Sequence, residues 1–423
     1  MKKRIQDMIA HPLFSGSAIM IIGSNSINVI NYLYHLIIGR MLGPIGYGEL
    51  ASLISIIGLL GTLPGSVALV ITKQISSTKN EQEANNLVKW FKKKILLMSV
   101  IFSFIVLIFS PLLTSFLNIR NVSYLILIAV SLLFTLQSLL NRAILQGLLK
   151  FKETIISILI ENSSKLILSI ALVYLGFQVG GIMLALVISG ALGLYITVIY
   201  LKIGSGSQNE ANFSPDTKSM LSFAIPVALQ SLSITSLYSS DVILVKHFFP
   251  AQEAGIYAAL STLGKIIFFG AGPITTVMFP LVSQKKARGE NYKKIFIYSF
   301  FATSLLAVSV LMVYWLFPFF AINILYGASY LGAANLLIWF GLFISLFTLS
   351  SLIINYGLSL GRSSIVILPI IAALAQIILI WLFHENLFTV IMISNLVTAL
   401  LLIALIIYSI YGNQINLSHR SDI

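Results

Sequence analysis

The sequence predicts an all-α integral membrane protein of about twelve transmembrane helices, built as two parallel-repeat six-helix bundles around a central cavity. Three observations predict it. First, hydrophobic residues make up 58% of the 423 residues and charged ones only 9%, against about 25% charged in a soluble domain. Mean hydropathy is +0.99. Second, residues 295–361 hold no Asp, Glu, Lys or Arg over 67 positions, room for two bilayer crossings of roughly 20 residues each. Third, the segment LIIGRMLGPIGYGELASL at 36–53 returns about 207 residues later as VKHFFPAQEAGIYAAL at 245–260, with Gly48 opposite Gly255. Duplication at that period is a mark of membrane transporters. Helices rather than strands are expected, because a helix satisfies its own backbone in lipid and the segments lack barrel alternation.

Taken in order, the apolar segments place spans at 13–38, 47–72, 95–117, 122–145, 154–176, 179–201, 220–246, 254–283, 295–320, 331–357, 363–383 and 387–411. The short polar break at 39–46 makes a hairpin of the first two, with Gly43–Pro44 as its turn. Pro64 and Pro273 fall inside the helices that follow each copy of the repeat. With an inner N-terminus, 21 of the 26 Lys and Arg fall on inner segments or inner helix ends, and only Arg40, Arg120 and Lys246 on the outer side. This bias predicts cytoplasmic N- and C-termini. The net charge of +13 is therefore topology, with some affinity for anionic headgroups, and no nucleic-acid partner is expected. The opening MKKRIQDMIAHPLF resembles a signal-peptide start. A long, polar-studded apolar segment without an A-x-A site follows it, so the first span is expected to be retained.

Six spans per copy puts both halves in the same orientation, related by a two-fold axis along the membrane normal. The flexible stretch GSGSQNEANFSPD divides them, giving expected bundles at 1–205 and 206–423. Span five (FKETIISILIENSSKLIL) parallels span eleven (SSIVILPIIAALAQIILI), which sets Lys165 opposite Gln376. LVKWFKKK at 87–94 reads as a basic interfacial segment. No extramembrane domain of useful size is expected on either face.

Polar groups inside the spans mark the candidate site. Ser24, Asn28, Asn31 and His35 share one face of span one, and Gln230, Ser233 and Asp241 recur along span seven. Both spans open a repeat, so these faces are candidates to line the cavity. Interhelical hydrogen bonding is the plainer reading. Lys165 and Lys265 lie deep, each roughly 16 Å from its helix start at 1.5 Å per residue. Intramembrane charge is a functional candidate by default. Glu161 stands four residues before Lys165, the favourable order for an intrahelical pair. Asp241, Lys246 and Arg40 fall near outer helix ends, where a charge reaches the interface cheaply. Tyr32 and Tyr238 are candidates to stack on a sugar. Glu161, Asp241 and His35 are the candidates for proton or sodium coupling. With no cysteine, no phosphate-binding loop and no metal-ligand cluster, no enzyme chemistry, metal or cofactor is expected.

GRMLGPIGYGELASL, AILQGLLKFKE, the deep basic residue of span five and AGIYAALSTLGK, with the twelve-span pattern, resemble the polysaccharide-unit flippases of the multidrug/oligosaccharidyl-lipid/polysaccharide exporter superfamily. The resemblance implies movement of undecaprenyl-diphosphate-linked oligosaccharide from the cytoplasmic to the outer leaflet by alternating access, for surface polysaccharide such as O-antigen. It implies a bacterial inner membrane location and a neighbouring polysaccharide polymerase machinery. Lys165 and Lys265, at the family's basic positions, become the implied contacts for diphosphate or acidic sugar. Peptidoglycan-precursor flippases carry charge inside the first span, where this chain has Ser24, Asn28 and Asn31, which favours a surface-polysaccharide unit. A drug/cation antiporter of the same superfamily is the nearest alternative, and a membrane polymerase or ligase the more distant one.

Overall fold

The computed structural model describes residues 12–78, 80–119, 121–201 and 217–418. They form thirteen α-helices and no strand among the described residues: α1 (Pro12–Ser76), α2 (Glu81–Phe116), α3 (Ser123–Gly147), α4 (Phe151–Tyr174), α5 (Gln178–Tyr200), α6 (Thr217–Leu237), α7 (Ser240–Phe248), α8 (Ala251–Ala287), α9 (Lys293–Leu316), α10 (Pro318–Leu325), α11 (Ala334–Ser359), α12 (Ile367–Leu382) and α13 (Leu387–Ser418). Short 3₁₀ turns precede α11 and α12. Eleven helical stretches are long and apolar enough to cross a bilayer, and the first of them, Ile22–Ser76, runs for 55 residues. At 1.5 Å per residue that is roughly 80 Å, enough for two crossings. The protein is therefore an all-α multi-pass membrane protein.

Two departures from the expected spans have local causes. The first two spans are one continuous helical run broken at a single residue, Gly43, with φ 67° and ψ 178°. That conformation is open to glycine and closed to side chains. Gly43→Ala is expected to lower stability by about 1–3 kcal/mol, the usual size of such strain, read as a drop in the detergent-solubilised melting temperature. The seventh span divides into α6 and α7, because the helix stops at Leu237 and restarts at Ser240.

The described residues pack as two compact units, one within Met1–Leu42 and Leu60–Ala228 and one within Gly43–Leu59 and Leu229–Ile423. The GSGS-rich linker and the expected boundary at 205/206 lie outside the described residues. In the first unit α3 packs on α2 and α5, and α4 on α5. Val70 and Ile71 of α1, Phe91 of α2 and Leu140 and Ile144 of α3 form its core. In the second unit α11 packs against α8, α9 and α13. It is the central helix of that unit, buried along most of its length, whereas α9 is largely exposed. Leu96, Phe104 and Leu112 on α2, and Phe301 and Leu305 on α9, are exposed, as lipid-facing side chains are. Serine and threonine hydroxyls within the helices donate to carbonyls three or four residues back, as in Ser99 to Ile95, Ser345 to Gly341 and Thr348 to Ile344. They are thereby satisfied without water. Two lysines cap helix ends: Lys92 Nζ donates to Leu201 O at 3.1 Å and Lys286 Nζ to Leu360 O. Cationic groups on terminal carbonyls complement the helix dipole.

Candidate functional site

Each unit holds its own polar cluster around a deep lysine, and each is described by itself. In the first unit α4 presents Ser157, Glu161 and Lys165 at spacings of four, on neighbouring turns of one face. Lys165 Nζ donates to Asn31 Oδ1 at 2.7 Å and to Asn162 Oδ1 at 3.1 Å. It also lies 4.7 Å from the centroid of the Tyr34 ring, within cation–π range. His35 packs edge-on against Tyr34, with centroids 5.3 Å apart. Ser24 and Asn28 continue the Asn31 face of α1; both are exposed and make no side-chain hydrogen bond among the described residues.

The intrahelical Glu161–Lys165 pair is not what forms. Glu161 Oε2 is bound by the guanidinium of Arg142 from α3. Arg142 Nε donates to Ser157 Oγ at 2.9 Å and its Nη2 to Ser157 O at 3.2 Å. Both side chains of the pair are largely buried, at 10% and 16% exposure. The facing residue of α5 is Gly193, where a Cβ would sit 2.1 Å from Glu161 Oε2. Glycine there makes room for the ion pair, and Gly193→Ala is expected to displace the carboxylate and loosen α4 from α5. Because Arg142 takes Glu161, the hydrogen-bond partners of Lys165 are amide oxygens, with the Tyr34 ring beside it and Glu161 acting on it only electrostatically.

In the second unit Asp241 is wholly buried among protein side chains. Tyr257 of α8 donates to Asp241 Oδ2 at 2.8 Å, and Ser394 of α13 is a second hydrogen-bonding neighbour of the Tyr257 hydroxyl. Gln376 Nε2 of α12 donates to Ser394 Oγ at 3.0 Å. Gln376 Oε1 is buried with no hydrogen-bond partner among the described residues. Lys265 faces this group with Asp241 as its electrostatic partner. Its Nζ lies 5.2 Å from the Tyr238 ring centroid and makes no hydrogen bond among the described residues. Tyr238 packs against Phe268 and Phe347, both centroids 5.7 Å away, and those two rings touch each other at 5.0 Å, so it is held as a ring beside the lysine. Gln230 is half-buried on α6 and makes no side-chain hydrogen bond among the described residues. Lys246 is only 3% exposed and is paired electrostatically with Glu49, so it is not an interfacial anchor.

The two clusters are linked by the repeat. Asn31 and Tyr34 stand 207 residues before Tyr238 and Asp241, and all four contact or accompany a buried lysine. That offset could have singled out Tyr34; Tyr257 and Ser394, which sequence reasoning also missed, fall opposite Leu50 and Val187 and carry no such signal. The arrangement offers fixed ammonium groups with spare donors and aromatic faces, suited to holding an anion or a sugar, and among the described residues no three His, Cys, Asp or Glu side chains gather to hold a metal.

Comparisons agree with this architecture. The fold is similar to the inward-facing conformation of a multidrug resistance MATE family transporter of the MOP superfamily, at TM-score 0.73 and 16% identity over 92% of this chain and 94% of that one. It is also similar to the lipid II flippase MurJ in an inward closed conformation, at TM-score 0.71 and 14% identity over 92% and 87% of the two chains. A MOP superfamily transporter from Pyrococcus furiosus, described as having a binding pocket of reverse polarity, matches at TM-score 0.62 and 16% identity over 93% and 94%. An uncharacterised membrane protein of Methanocaldococcus jannaschii is 28% identical over 274 residues, 60% of this chain and 64% of that relative. The family model described as polysaccharide biosynthesis protein matches residues 14–286, well over half of the sequence, and the chain belongs to that family.

Proposed function

We propose that this protein is a flippase that carries polyprenyl-diphosphate-linked oligosaccharide repeat units from the cytoplasmic to the outer leaflet by alternating access, supplying surface polysaccharide assembly. The observation that carries the reading is Lys165, a deep cation whose neighbouring carboxylate is held by Arg142, leaving positive charge for an anionic ligand. Lys265, with no hydrogen bond of its own among the described residues, offers the same in the second unit. A diphosphate or acidic sugar leaving water needs such donors. Exposed Ser24 and Asn28, with half-buried Gln230, add neutral donors suited to hydroxyl groups.

The cation-antiporter alternative is weaker on the same ground. Glu161 and Asp241 are each engaged by a donor rather than presented as a bare acidic face. In our reading the drive is an ion gradient acting through Asp241, where the partnerless Gln376 Oε1 supplies a further oxygen for H⁺ or Na⁺. The termini are cytoplasmic, the membrane is the bacterial inner membrane, and the polymerase machinery receives the product.

Lys165→Ala and Lys265→Ala are expected to slow translocation of lipid-linked oligosaccharide into inverted vesicles by about tenfold or more each, since a charge-assisted hydrogen bond contributes about 1.5–3 kcal/mol. Protein level in the membrane should not change. Unaltered flux in both variants, with loss of cationic-dye efflux instead, would assign the protein to the antiporters.

A further inference from the structure

We propose that the groove between α12 and α13 holds one anionic phospholipid, with an acyl chain along the groove and the phosphate at the end marked by Arg362. The inference is independent of what the protein transports.

The groove is a cavity of about 250 Å³ lined by apolar side chains alone. Ala372 of α12 and Val397 and Leu401 of α13 form its floor and are buried, while Ile371, Leu396 and Leu400 stand exposed along its rim. On α12 the lining runs from Leu368 to Leu379 in steps of three and four, so it follows one face of the helix. Its length is about 16 Å at 1.5 Å per residue, and half of a bilayer's hydrocarbon core is about 15 Å. The groove is therefore as deep as one leaflet, which suits an acyl chain anchored at the interface. A long polyprenyl chain would overrun it.

The two ends of the groove differ in charge. No Asp, Glu, Lys, Arg or His occurs at 363–383 or at 386–418, so the flanking formal charges are Arg362 at one end and Glu385 at the other. At the Arg362 end, one turn beyond the lining of each helix, Ser364 Oγ and Tyr408 OH lie 2.6 Å apart. Their mutual bond uses one hydroxyl proton of the two, which leaves the other to donate outward. Arg362 is half-buried, and its charge acts on Tyr356. Lys286 of α8 donates to Leu360 O, two residues before Arg362, and brings a second cation to this end. Two cations and a spare hydroxyl proton suit one phosphodiester, and basic groups between membrane helices are where acidic headgroups bind. At the Glu385 end an anionic headgroup would meet like charge.

Native mass spectrometry of the full chain in nonionic detergent tests the site, with dioleoyl phosphatidylglycerol, dioleoyl phosphatidylcholine and undecaprenyl diphosphate as probes. One phosphatidylglycerol per chain is expected to survive detergent removal, held several-fold more tightly than phosphatidylcholine. Arg362→Ala should weaken it about tenfold, the size of one charge-assisted hydrogen bond, and Arg362→Lys should recover most of that. Tyr408→Phe with Ser364→Ala should weaken it less. Ala375→Leu with Ala404→Leu fills the groove and should weaken both phospholipids together, whereas Leu112→Ala on the exposed face of α2 should change neither. If the filled variant fails to fold, Ala375→Leu alone and the headgroup variants still decide. Equal affinity for the two phospholipids, or phosphatidylglycerol binding unmoved by Arg362→Ala or by a folded groove variant, would overturn the site. Displacement of phosphatidylglycerol by a lower concentration of undecaprenyl diphosphate would overturn it in favour of a polyprenyl groove.

Discussion

Arg142→Ala should be among the most destabilising single changes in the chain, at about 3–5 kcal/mol, the range for removing one partner of a buried ion pair. Arg142 is 8% exposed and carries three separate bonds from α3 to α4, two to Ser157 and one to Glu161. Ser157 donates its own hydroxyl proton to Thr154 O, so without the guanidinium its acceptor side is empty. Glu161 would remain as an uncompensated carboxylate against Gly193 of α5. Its remaining basic neighbour is Lys165, one turn along the same helix, and pairing there would cancel the charge that the proposed transport uses. The variant is thus expected to lose both melting temperature and flux. Glu161→Gln should do less harm, because Arg142 keeps Ser157 and Lys165 keeps its charge. Arg142→Met combined with Glu161→Leu should recover most of the stability, as apolar replacement of whole buried pairs often does. A double variant as unstable as Arg142→Ala alone would mean that the bonds to Ser157, not the charges, hold α3 to α4.

The spans were legible because crossing a bilayer is a one-dimensional demand on length and hydropathy, met segment by segment. The turn at Gly43–Pro44 was legible too. That both flanks stay helical up to one glycine was not, since a turn signal does not say how few residues it needs. Glu161, Lys165 and Lys265 stood out because lipid makes each deep charge costly, and all three sit in polar clusters. Their partners were not legible. The i,i+4 spacing of Glu161 and Lys165 allows a pair but does not select it, and the guanidinium arriving from α3 offers Glu161 the closer partner. Counting along a single long span sets Asp241 near an outer helix end but cannot show what encloses it. The break after Leu237 starts a separate helix there whose residues Ser240–Lys246 are all buried. Tyr34 gives no local signal, since tyrosine serves packing and binding alike. Only the 207-residue offset to Asp241 marks it out.

Asp241 and Tyr257 should be strongly coupled. Asp241→Ala takes the acceptor from a tyrosine hydroxyl buried in α8 and the counter-charge from Lys265, and is expected to cost about 2–4 kcal/mol. Tyr257→Phe leaves Asp241 Oδ2 without its donor and should cost about 1–3 kcal/mol. Each single change strands the other's partner, so the double variant should cost less than the sum by about 1–2 kcal/mol. Asp241→Asn separates structure from coupling. It keeps an oxygen for the Tyr257 proton and removes only the charge, so the fold should survive with a small loss. In the proposed reading that variant still binds lipid-linked oligosaccharide, but its transport no longer responds to an imposed proton or sodium gradient. A folded Asp241→Asn protein with the native gradient response would move the coupling role away from Asp241. The cluster of Asp241, Tyr257, Ser394 and Gln376 would then be structural, a set of buried hydrogen bonds tying α7, α8, α12 and α13 together.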